Sequence, residues 1–171
     1  MTLTACSPPP RRIVAVFLVS GGPTALLHPC SGEPVKGLQV RDVTPAEPTP
    51  TDTSSGSAGA ASASASPTAE LSLLRWDTSS ADVPAPTQVT LLTAPDGWQV
   101  YTDEDRLLLE FRDDRRYDVS TSVLGDMGVE FTLDDLEGLE PGQVWATPDD
   151  TRTPRAMSRD EFARIAESSC D

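Results

Sequence analysis

Arg11-Arg12-Ile13-Val14-Ala15-Val16-Phe17-Leu18-Val19-Ser20-Gly21-Gly22-Pro23-Thr24-Ala25-Leu26-Leu27 is the stretch on which the reading of the chain turns. Two arginines precede seven unbroken apolar residues. A Ser-Gly-Gly-Pro break follows, then a second short apolar run that leads through His28 and Pro29 to Cys30. A basic patch, a short apolar region and a nearby processing point form the pattern of a secretory signal. The apolar part falls short of the roughly 20 residues that span a bilayer, and Gly-Gly-Pro would break a regular helix. The other reading of Ile13 to Val19 is a buried strand in a cytosolic protein, because a short continuous apolar run fits either.

Downstream, Val35 to Val43 is a brief strand candidate. From Thr44 to Ala69 the chain is almost wholly Pro, Thr, Ser, Ala and Gly, and between Ser54 and Pro67 nothing is larger than threonine. Such a segment has too little apolar surface to offset the entropy of ordering. The expected organisation is therefore a signal-like segment over 1–30, a disordered tether over 31–69 and one small domain over 70–171.

In that last region short alternating runs are separated by turn residues, as in half-buried strands. Strands are expected at Leu71 to Trp76, Val89 to Thr93, Trp98 to Thr102, Leu107 to Arg112, Tyr117 to Val123 and Val129 to Leu133, with an edge strand at Val144 to Ala146. Ala94-Pro95-Asp96-Gly97 and Pro141-Gly142 are turn signals, and Thr132 caps a single helical turn that ends at Gly138. Ser158 with Glu161 has capping-box spacing, Met157 with Phe162 has staple spacing, and Phe162, Ile165 and Ala166 make a stripe. The expected fold is α+β: a small antiparallel sheet with one C-terminal helix over about Arg159 to Ser168.

The start of the chain resembles the export signal of bacterial lipoproteins, in which a cysteine behind a Leu-small-small box receives the lipid. Leu27 fits that box ahead of Cys30, whereas His28 and Pro29 depart from it. Leu3-Thr4-Ala5-Cys6 fits it better, and Cys6 is the alternative site if translation begins upstream of Met1. The resemblance implies a lipid anchor in the membrane on the extracytoplasmic side of the cell envelope; plain secretion is the alternative. If Cys30 carries no lipid, it can pair with Cys170 in an oxidising compartment.

Charge and composition exclude several functions. Residues 1–69 carry four basic and four acidic side chains, while residues 70–171 carry nine arginines against twenty-three carboxylates, which accounts for the net charge of −14. Such a surface repels nucleic acid. The three cysteines show no metal-ligand spacing, and neither a metal nor a cofactor is expected. With His28 in the discarded segment, the domain would lack histidine, and the lone Lys36 would lie in the tether, which removes histidine- and lysine-based catalysis. Carboxylate pairs remain at 103–105, 113–114, 134–135 and 149–150, readable as turn residues or as the acids of a small secreted hydrolase. A face presenting Trp98, Tyr101 and Trp145 together would make a sugar platform. The expectation is a non-enzymatic binding or interaction module whose partner is an envelope or extracellular protein or a glycan.

Overall fold

The computed structural model describes residues 11–20, 22–31, 35–45, 73–78, 87–101, 107–123, 126–149 and 153–170. It shows two five-stranded antiparallel sheets and a C-terminal helix, an α+β fold. The strands are β1 (Val14–Val19), β2 (Gly22–Leu27), β3 (Gly37–Asp42), β4 (Leu73–Asp77), β5 (Gln88–Thr90), β6 (Gln99–Val100), β7 (Tyr117–Thr121), β8 (Val129–Phe131), β9 (Gln143–Ala146) and β10 (Arg155–Ser158); the helices are α1 (Leu133–Glu137) and α2 (Arg159–Ser168). One sheet runs β10-β9-β1-β2-β5 and the other β6-β4-β3-β7-β8.

The decisive stretch is the middle of the molecule. β1 pairs with β2 on one side, from Val14 opposite Leu27 to Val19 opposite Gly22, and with β9 on the other. Gly22 and Pro23 of the Ser-Gly-Gly-Pro break already belong to β2, paired with Val19 and Leu18. Val14 and Val16 pack into the core between the sheets with Leu38, Val40, Tyr117 and Val119. Ala15 and Phe17 pack into a second core with Val144, Met157, Phe162 and Ala166, under α2. A strand covered on both faces has no wet side, so it carries no alternation and reads as a solid apolar run. That is the physical reason this segment imitates a signal. Residues 13–27 are part of the folded body, and the expected boundary at 1–30 does not coincide with it.

The tether is redrawn in the same way. Val35 is buried, and β3 lies at the centre of its sheet between β4 and β7. β3 pairs with β4 from Gly37 opposite Asp77 to Arg41 opposite Leu73. The Pro/Thr/Ser/Ala-rich run therefore joins two adjacent antiparallel strands rather than separating an anchor from a domain. Most of it, 46–72, lies outside the described residues. Closing a connection of this length is tolerable, since each doubling adds only about 0.6 kcal/mol.

In the second half most expectations hold. α2 spans Arg159–Ser168, and Ser158 Oγ accepts the Glu161 N–H at 3.1 Å. Met157 and Phe162 are both buried as the staple requires. The reciprocal arm of that box is not made, because the Glu161 carboxylate pairs with Arg155. At α1 the box is complete, with Asp135 as the N3 residue returning to Thr132. Gly142 at φ 87° and the Gln143 N–H to Glu140 C=O bond of 3.0 Å form the expected turn.

Two expectations fail, and one strand was not expected. Leu107 to Arg112 is not a strand: Leu108 is buried and Leu109 exposed, the reverse of the alternation. Val144 to Ala146 is no edge, because β10 covers it. β10 escapes notice because Met157 is its only buried residue.

Candidate functional site

The signal-like segment supplies functional groups to the body instead of leaving it. Arg11 and Arg12, the expected basic patch, lead into β1 and are held by their main-chain groups: Met127 N–H donates to Arg11 C=O at 3.0 Å, and Arg12 N–H donates to Ser169 Oγ at 3.1 Å. One residue past the end of β2, His28 N–H donates to Ile13 C=O at 2.9 Å, and two residues later Cys30 forms a disulfide with Cys170. The expected lipid attachment at Cys30 is corrected by this bond, since its sulfur has no thiol left to acylate. Cys6 lies outside the described residues.

His28 therefore stays with the fold, and the exclusion of histidine chemistry through its removal does not stand. Its Nε2 lies 3.8 Å from Glu167 Oε1, and its ring meets Phe162 edge-on at 6.4 Å between centroids. Ser169, on the neighbouring turn, donates its hydroxyl to Ala166 C=O at 2.8 Å and accepts from Arg12 N–H. That hydroxyl is committed to capping the helix. Lys36 is exposed, and its carbonyl accepts from Thr78 N–H at 2.8 Å.

The carboxylates divide by role. Residues 103–105 lie outside the described residues, as does Asp150. Asp113 and Asp114 sit in an exposed turn, and Asp135 is the N3 residue of the α1 capping box. Two acids at the β7–β8 connection were not singled out from the sequence. Asp118, buried on β7, accepts from Arg41 Nη2 at 2.7 Å and Nε at 3.2 Å. Asp126 accepts from Thr121 N–H at 2.5 Å and Gly128 N–H at 3.3 Å. Gly128 has φ +65°, and a Cβ there would stand 2.8 Å from Asp118 Oδ1, so the turn requires glycine. The two acids build the β7–β8 connection.

Burial raises the Asp126 carboxyl above its ordinary value, with a further rise from Asp118, against the lowering pull of the Thr121 and Gly128 donors. A raised folded value means that the native state holds this proton more tightly than the unfolded chain. Its contribution is greatest below the unfolded value and is lost as pH rises through the folded one. Asp126→Asn does not titrate. In paired urea melts between about pH 7 and about pH 4, the wild type should gain stability relative to Asp126→Asn as pH falls. A wild type that loses ground to the variant on acidification would contradict this assignment.

The aromatic residues do not share a face. Trp76 and Tyr117 are buried, and Trp98 is only 7% exposed. Tyr101 is exposed but follows β6 at one margin of its sheet. Trp145 is half-buried on β9 and reaches β8 at the opposite margin, where its indole N–H donates to Glu130 C=O at 3.0 Å. The sugar platform assembled from Trp98, Tyr101 and Trp145 is thereby dispersed. What remains at Trp145 is a cleft of about 280 Å³ between the edges of the two sheets. A second concavity, about 330 Å³, lies beside the β1–β2 turn, where Arg159 sits 4.4 Å from the centroid of the Phe17 ring.

Among the described residues no helix is long and apolar enough to cross a membrane, and no three His, Cys, Asp or Glu side chains are grouped to hold a metal ion. The fold and site together define a class: an α+β protein of two antiparallel sheets and a C-terminal helix, closed by one disulfide. No family model matches the chain, and neither a curated protein nor a solved structure is detectably similar to it.

Proposed function

We propose that this is an exported protein of the bacterial cell envelope, anchored by a lipid on Cys6, whose folded body is a non-enzymatic binding or interaction module. The observation that carries the reading is the Cys30–Cys170 disulfide. Disulfides persist in oxidising compartments and are rare where thiol reductants are abundant. With Cys30 committed, Leu3-Thr4-Ala5-Cys6 becomes the acylation box, and Ser7-Pro8-Pro9-Pro10 is a short polar spacer between the lipid and the folded body. The reading requires a signal upstream of Met1. The net charge of −14 keeps the module off anionic lipid and nucleic acid, which suits a protein or glycan partner.

The test is fractionation of the native host. The wild type should partition with membranes and be digested by protease added to intact spheroplasts. Cys6→Ser should move to the soluble extracytoplasmic fraction with its disulfide intact. A wild type recovered from the cytosol with Cys30 and Cys170 reduced would overturn the proposal, as would membrane retention of Cys6→Ser.

A further inference from the structure

We infer that the cleft at Trp145 is a binding subsite for a hydroxyl-rich ligand of the size of a sugar ring, presented by a glycan. The inference rests on the reading of the body as a binding module and names the ligand class of its tryptophan-walled cleft. The cleft opens at the margin of the two-sheet core. β8 contributes Glu130, α1 contributes Asp135, β9 contributes Trp145, and Arg116 enters from the turn before β7. Pro154, ahead of β10, closes one side.

The ring is fixed before any ligand arrives. Its N–H is bonded to the Glu130 carbonyl, and Val144 and Ala146, its neighbours on β9, are fully buried under α2. A pre-positioned indole offers a flat apolar wall at little entropic cost, suited to the C–H face of a sugar. Around it stand polar groups of both signs. Arg116 Nη1 and Glu130 Oε2 are 3.7 Å apart, with side chains 59% and 54% exposed. At that separation they attract without forming a hydrogen bond, so each keeps bonding capacity for a third group. Asp135 accepts both Thr132 bonds through Oδ2, which leaves Oδ1 as a further acceptor.

The mixture of signs selects the ligand chemistry. An anion would meet two carboxylates, and a simple cation would meet the guanidinium. A hydroxyl group both donates and accepts, and neighbouring hydroxyls on a ring can satisfy a donor and an acceptor held side by side. The volume, about 280 Å³, lies near the lower bound of ligand pockets and admits one ring with the chain continuing into solvent.

The experiment uses the full chain labelled with 5-fluorotryptophan, which gives three fluorine resonances, one for each tryptophan. Maltotriose, cellotriose, chitotriose and mannotriose are titrated separately to about 20 mM, since one ring of contacts gives a Kd on the order of 1 mM. The expected result is a saturable shift of the Trp145 resonance with at least one of them, while those of Trp76 and Trp98 stay fixed. Glu130→Gln should weaken that binding at least about 5-fold, the loss of a charged hydrogen-bond partner, with an unchanged thermal midpoint. No Trp145 shift with any of the four would overturn the inference, as would a shift produced by glycylglycine or tetramethylammonium instead. A negative titration with a lipidated, membrane-bound wild type sinks the subsite and leaves the anchoring proposal standing; sugar binding by a cytosolic, reduced protein would do the reverse.

Discussion

Cys170→Ser should lower the thermal midpoint by about 10–20 °C, and a reducing agent should do the same to the wild type. The disulfide joins residues separated by 140 positions, from just past β2 to the end of α2, so the loop it closes takes in the described elements from β3 to α2 and leaves β1 and β2 outside. Chain-entropy reasoning assigns a loop of that size about 5 kcal/mol of stabilisation. Total stabilities are only about 5–15 kcal/mol, and each kcal/mol moves the midpoint by roughly 2–4 °C at this length. The bond also holds α2 over the outer face of β1, so its loss releases the cover of Phe17 as well as the loop. Scanning calorimetry with and without reductant reads the effect directly. A shift below about 3 °C in both arms would mean that the bond is peripheral to the fold.

A charge placed inside β1 should be the most damaging single change in the chain. Val16 is fully enclosed between the sheets and pairs with Ala25 on one side and Trp145 on the other. Val16→Asp loses the packing of the valine and buries a carboxylate with no partner, a combination worth more than about 4 kcal/mol. Leu18→Asp is the control two positions on. Leu18 is 42% exposed near the hairpin turn, and a charge there should cost less than about 1 kcal/mol. Circular dichroism and urea melts should show an unfolded or barely stable Val16→Asp beside a near-normal Leu18→Asp. Were the segment a removable signal, neither change would touch the melting of the mature protein, and that outcome would refute the topology.

The contrast between those two residues shows where the sequence was readable and where it was not. Local chemistry carried through wherever a few neighbouring residues decide the structure. Ser158, Met157 and Phe162 mark the start of α2, Thr132 and Asp135 mark α1, and Pro141-Gly142 marks its turn. The strands of the second half that have one wet face were also visible, β4 and β8 among them. Ile13 to Val19 was ambiguous because a strand buried on both sides lacks the alternation that would betray it. Its companion run, Gly22 to Leu27, matches Val14 to Val19 in length across a two-residue break, and that symmetry was the available hint of a hairpin.

Long-range pairing hid the rest. Nothing local in Val35 to Val43 indicates that β3 will sit at the centre of a sheet, because its partners β4 and β7 lie far along the chain. The low-complexity run between β3 and β4 looks like a boundary by composition, yet strand pairing crosses it. Leu107 to Arg112 errs in the opposite direction: the alternation is present but no extended strand forms over it, and its leucines are divided between core and solvent. At the candidate site Trp145 was noted for its ring, whereas Glu130, Asp135 and Arg116 come together only through the meeting of β8, β9 and α1.

The account depends on Ile13 to Leu27 being a permanent part of the folded molecule. Non-reducing peptide mass mapping of the protein purified from its own cells tests this most directly. The account predicts that peptides covering Ile13 to Leu27 are recovered, that Cys30 and Cys170 appear in one linked pair, and that the N-terminal peptide begins at an acylated Cys6. A mature chain that begins at an acylated Cys30, with no peptide from residues 13–27, would contradict it.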